Sequence, residues 1–196
     1  MEEKISLREY LYSLRFYILF IAILFIGSIA LGYIGFFNEL FSNQMGELQQ
    51  LIEWISSITQ LYPIWVTFLI YFAVIFLNNA FKCLLNVILG PLLGIFPLFS
   101  TFINGGLIGL VVQEWGLIVF LGILLLYGIL ELSAFLLSAS IGLRLGREVL
   151  KRKGGRNFKK ELRNSLRVFL ILILPLLIIA ALIESALIAI ELLLTP

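Results

Sequence analysis

An all-α polytopic membrane bundle of about five transmembrane helices, with an outer amphipathic helix, is the fold class predicted here. Hydrophobic residues fill 61% of the 196 positions and the mean hydropathy is +1.09, whereas soluble domains are roughly 45–50% apolar. Five apolar runs approach spanning length, because about 20 residues rising 1.5 Å each cover the hydrocarbon core. Ten of the fourteen Lys and Arg residues fall within 144–167, an asymmetry that marks one side of a membrane.

Composition also removes most chemistry. The chain has no His, all twelve acids are Glu, and Cys83 is the lone cysteine. A Ser-His pair, an HExxH helix, an intramembrane aspartate dyad, an intrachain disulfide and a Cys-rich metal site are therefore all impossible. We expect no catalytic residue, cofactor or metal. A hard-cation site built of carboxylate oxygens is the one enzyme-like arrangement left open.

The chain is read as one integral membrane domain, 1–196. Residues 1–13 are mixed in charge, and Ser6 followed by Glu9 has capping-box spacing for a brief amphipathic helix carrying Ile5, Tyr10 and Leu14. The first span is 16–37. Ser28-Ile29-Ala30 resembles a signal-peptidase site, but three glutamates in the head and a long apolar run favour an uncleaved anchor. Residues 38–61 hold Glu39, Glu47 and Glu53, no Lys or Arg, and apolar residues at helical spacing. They predict an amphipathic helix on the outer surface that caps the bundle or docks an extracytoplasmic partner.

The second span, 63–89, starts at Pro63 and turns polar only at Asn78, Asn79, Lys82 and Asn86. Asn78, Lys82 and Asn86 form an i, i+4, i+8 stripe expected to face the bundle or a polar crevice, with Lys82 able to snorkel. Gly90-Pro91, Gly94 and Pro97 precede a short third span, 98–112, centred on Asn104-Gly105-Gly106. It crosses steeply or is partly re-entrant, and Gly105 with Gly109 supplies a small-xxx-small contact.

The fourth span, 117–143, has one charge, Glu131, near its centre. An ionised carboxylate in hydrocarbon is costly enough that Glu131 must face protein, water or an ion, or carry a proton. Ala134, Ser138, Gly142 and Gly146 form a small-residue row on its face, a close-packing seam that places this helix at the centre of the bundle. The basic segment 144–167 follows and reads as a cytoplasmic loop that also meets anionic head groups, with a nucleic-acid or protein partner the weaker alternative. Phe158, Leu162, Leu166 and Phe169 predict that it enters the last span as an amphipathic helix. The fifth span, 168–194, should kink at Pro175 and carries the second intramembrane carboxylate, Glu184. Five spans place the N-terminus in the cytoplasm and the C-terminus outside.

Asn79-Ala80, Gly90 to Gly94, Asn104-Gly105 with Gly109, the run Gly128-Ile129-Leu130-Glu131-Leu132 with Gly142, and Ala180-Ala181-Leu182-Ile183-Glu184 occur in that order on five spans. In these stretches the chain resembles the stage II sporulation protein M family of integral membrane proteins. The resemblance implies a five-helix membrane protein, which in spore formers assembles with cell-wall remodelling proteins during engulfment. It marks Asn79, Asn104, Gly105, Glu131 and Glu184 as a family signature without an assigned chemistry. One departure is clear: Leu126-Tyr127 stand where the family pattern has Pro-His before Gly128. No role that needs that imidazole carries over.

Position counts along the helices set Asn79 and Asn104 inward, Glu131 at mid-depth and Glu184 outward, a polar ladder more than a cluster. The expected function is a non-enzymatic membrane scaffold in the bilayer, homodimeric through its small-residue rows and able to bind a membrane or extracytoplasmic protein; nucleic acid is not expected. The alternative is a transporter or channel component that uses the ladder as a route for a proton, ion or polar solute.

Overall fold

The apolar runs fold as five long helices in a computed structural model of the chain that describes residues 6–41, 54, 55, 57, 61–151 and 158–194. These are α1 (Leu7–Tyr33), α2 (Ile64–Ile88), α3 (Ile95–Trp115), α4 (Leu117–Leu150) and α5 (Phe158–Leu194), each long and apolar enough to cross a membrane. No strand occurs among the described residues.

Local chemistry explains the helix limits. Ser6 Oγ accepts from the Glu9 backbone N–H at 3.2 Å, and Glu9 Oε2 accepts from the Ser6 N–H at 2.9 Å, a complete capping box. The expected short amphipathic helix is therefore the opening turns of α1 itself. Pro63 sits at the start of α2, where a missing N–H costs nothing. Leu93 and Gly94, at φ 56° and 73°, turn the chain from α2 into α3, and Gly116 at φ 85° separates α3 from α4.

Both helices that carry a membrane carboxylate contain a π-helical turn, Leu124–Gly128 in α4 and Phe169–Ile173 in α5. The second explains how α5 accepts Pro175. The carbonyl four residues back, at Ile171, lies within the widened turn, where the ring's usual clash with it is relieved.

Helix α4 occupies the centre and touches all four others, while α1 packs along α3 and α2 along α5. The glycine rows make the closest approaches. A Cβ on Gly142 would collide with the Asn86 carbonyl of α2 and stand 2.6 Å from Pro97 Cγ of α3. One on Gly109 would run into the Ile29 carbonyl and lie 2.7 Å from Gly32 Cα of α1; one on Gly105 would stand 2.7 Å from Ser28 Cβ. Ala134, Ser138, Gly142, Gly105 and Gly109 are all buried. Both rows are thus consumed inside one chain, and neither offers a surface to a second copy.

Gly90 meets Gly142, and Arg144 reaches Ser13 and Glu161, so the starts of α1, α3 and α5 share one end with the finishes of α2 and α4. Adjacent spans run in opposite directions.

Two expectations need correction. The third span is not broken at Asn104-Gly105-Gly106: α3 is continuous for 21 residues, about 32 Å of helix, so re-entrance has no backbone interruption to rest on. The basic segment is mainly two helix ends, since 144–150 finish α4 and 158–167 open α5. Of the expected apolar stripe, Phe158, Leu162 and Phe169 pack in the core and Leu166 is 39% exposed, while Glu161, Ser165 and Val168 are buried beside them. Polar partners on α1 and α4 pull Glu161 and Ser165 inward. The outer amphipathic segment 38–61 lies largely outside the described residues.

Candidate functional site

Asn79 of α2, Asn104 of α3, Glu131 of α4 and Glu184 of α5 converge on one cavity of about 320 Å³, which Lys82, Cys83 and Tyr127 also line. This corrects the ladder. Counting residues places each side chain along its own helix but leaves out the tilt and offset between helices, and those bring the four polar groups together. The remaining wall is apolar, with Phe25, Trp115, Phe120 and Phe135 among its members.

Two of the polar groups are joined directly. Asn79 Nδ2 donates to Glu131 Oε1 at 2.5 Å, linking α2 to α4. Glu184 of α5 and Tyr127 of α4 stand beside Glu131 in the same cavity, so two carboxyls and a phenol share one small space between the helices. Lys82 feels the charge of Glu131 across the cavity but closes no ion pair with it. Asn104 Nδ2 is held by the Ser100 carbonyl at 2.8 Å, one turn back on its own helix.

The stripe of Asn78, Lys82 and Asn86 is divided. Four-residue steps drift about 40° each, so the row sweeps about 80° around α2. Asn86 is fully buried and donates to Ser138 Oγ at 3.1 Å, Lys82 turns into the cavity, and Asn78 is exposed on the outer face. Exposed Val74, Leu77 and Phe81 surround Asn78.

A family model described as Stage II sporulation protein M matches residues 16–187. The chain belongs to the stage II sporulation protein M family. No curated protein and no solved structure matches it. Within this family fold, the quoted signature residues Asn79, Asn104, Glu131 and Glu184 line the cavity. Gly105 makes the close α1–α3 contact. Tyr127, in the place of the absent imidazole, lines the same cavity from the π turn of α4.

Two groups of residues went unseen in the sequence. Tyr127 lies four residues before Glu131 and so shares its face, a signal that was available. The other group lies at the basic end, where Glu161, 6% exposed, accepts from the Tyr10 hydroxyl at 2.7 Å and from Arg144 Nε at 2.6 Å. Ser165 Oγ bonds the same Tyr10 hydroxyl at 3.0 Å. Arg144 also donates to Ser13, Arg147 donates to Tyr17 at 2.9 Å, and Lys151 pairs with Glu148. The readable clue was the presence of two acids, Glu148 and Glu161, inside a run of ten cations.

Proposed function

We propose that this member of the stage II sporulation protein M family is a non-enzymatic scaffold that assembles with another membrane helix. The observation that carries the reading is Asn78. Its amide lies about 21 Å along α2 from Ile64, within hydrocarbon depth. It is exposed among apolar residues and has no hydrogen-bond partner among the described residues. Lipid cannot satisfy an amide, whereas an asparagine or polar backbone on a neighbouring helix can. The homodimer belongs to this reading with its interface moved to the outer face of α2, and a different membrane protein would satisfy the same group. The lack of His and Asp and the burial of Cys83 support a non-enzymatic role. The basic end belongs in the cytoplasm by the positive-inside rule, which puts the C-terminus outside.

Asn78→Leu tests the proposal. Interhelical hydrogen bonds in membranes contribute about 0.6 kcal/mol on average and up to about 1.7. The variant should therefore weaken association in vesicles by roughly threefold to twentyfold while leaving the monomer fold unchanged. An association constant equal to wild type, for the chain with itself and with co-purifying membrane proteins, would sink it.

A second reading, transport, is favoured by the cavity itself, because a purely structural polar contact needs no 320 Å³ of space beside it. Its test is proton and cation flux in reconstituted vesicles. A wild-type flux abolished by Glu131→Gln or Glu184→Gln, with folding intact, would establish transport and displace the scaffold reading.

A further inference from the structure

At the basic end, a second cavity of about 550 Å³ lies between the start of α1, the finish of α4 and the turn at Leu93. Its composition changes with depth. Ser13 stands nearest the start of α1, and Phe16, Tyr17 and Phe20 follow toward the membrane centre, about 10 Å deeper by the last of them. Helix α4 runs the opposite way, so Leu143 lies deep and Arg144, Arg147 and Lys151 rise toward the surface. A rim of cations and hydroxyls therefore sits above an apolar floor, and Phe16, Phe20 and Leu93 are 68%, 53% and 50% exposed.

The charges at the rim do not cancel. Arg144 is paired with Glu161 and Lys151 with Glu148, whereas Arg147 closes no ion pair among the described residues and bonds the neutral Tyr17 hydroxyl. A guanidinium has five N–H donors in a planar fork suited to phosphate oxygens, and one bond to Tyr17 leaves donors to spare. Lys151 keeps 43% of its side chain accessible beside it.

We infer that this groove is a binding site for an anionic phospholipid, the phosphate held at Arg147 and Lys151 and the first acyl methylenes lying along Phe16, Phe20 and Leu93. The amphipathic gradient selects a lipid over a free anion, since an inorganic phosphate would leave the floor uncovered. The unbalanced charge selects an anionic head group over a zwitterionic one, whose cation would meet the same rim. This site is distinct from general attraction by the remaining basic residues, which has no floor.

The test uses the full-length protein in detergent, titrated with phosphatidylglycerol, phosphatidylcholine or inorganic phosphate and followed by native mass spectrometry and thermal stability. Wild type should retain phosphatidylglycerol in preference to phosphatidylcholine and gain stability from it. Arg147→Gln, at an exposed position, should lose about fivefold in that affinity, the effect of one cation near an anionic surface. Lys159→Gln removes the same charge from an exposed site outside the groove and should lose little. Equal losses in the two variants, or no preference between the two lipids, would overturn the site. Stabilisation by inorganic phosphate matching that by lipid would overturn the lipid as occupant.

Discussion

The Asn79 amide of α2 donates to the Glu131 carboxyl of the central helix at 2.5 Å. Glu184 of α5 and Lys82 of α2 line the same cavity, so two carboxyls and one amine share the space where three helices meet.

Glutamine at either carboxyl should be nearly silent in the scaffold reading. At position 131 the amide oxygen still accepts from Asn79, and either single change leaves one carboxyl in the cavity with Lys82. The double variant Glu131→Gln/Glu184→Gln should lose roughly 1–3 kcal/mol, because Lys82 is left facing only neutral groups in the cavity. Adding Lys82→Met should restore most of that loss. Thermal unfolding of the four proteins in one detergent checks this, and a silent double variant would show that Lys82 needs no counter-charge.

Gly142→Leu and Gly109→Leu should reduce folded yield and stability rather than convert a dimer to a monomer. Each new side chain enters space held by backbone of the same chain, at Asn86 or at Ile29 and Gly32. Overpacking of this kind costs roughly 1–3 kcal/mol and reaches the upper end where backbone must move, more than the ~1 kcal/mol gained in helix propensity. Gly27→Leu and Gly122→Leu meet nothing within 4 Å and serve as controls. Size-exclusion profiles with thermal melts distinguish the outcomes. A stable, monomeric Gly142→Leu would return that row to a subunit interface.

The contact of Glu161 with Tyr10 and Arg144 should behave as a unit. Glu161→Leu leaves Arg144 beside an apolar surface and should cost about 3–5 kcal/mol, whereas Tyr10→Phe, removing one hydroxyl, should cost about 1 kcal/mol. In a double-mutant cycle the pair Glu161→Leu/Arg144→Leu should lose less than the sum of the single changes. Additive losses would mean that the ion pair contributes nothing.

Orientation is checked with single cysteines at Gln49 and Gly155 in a Cys83→Ser background. A membrane-impermeant thiol reagent should reach them from opposite sides, Gly155 from the cytoplasmic one. Labelling of both from the same side would rule out the alternating five-span arrangement.

Much of the fold was readable from residue type and period alone. Helix period assigns each residue to a face, and the cost of polar groups in hydrocarbon requires that Glu131 and Glu184 avoid lipid. The capping pair Ser6 and Glu9 marked the start of α1, and Pro63 the start of α2. The small-residue row on α4 marked the central helix, since only small residues let several backbones approach one helix closely. These are properties of one segment in its solvent, so sequence by itself determined them. Tertiary structure decided which polar groups meet and which side of α2 faces lipid. It gathered Asn79, Asn104, Glu131 and Glu184 into one cavity, left Asn78 outside, and closed the glycine rows within the chain. Those outcomes depend on the tilt, offset and π turns of helices far apart in sequence, set by interlocking side chains from several segments at once, which no single segment's pattern contains.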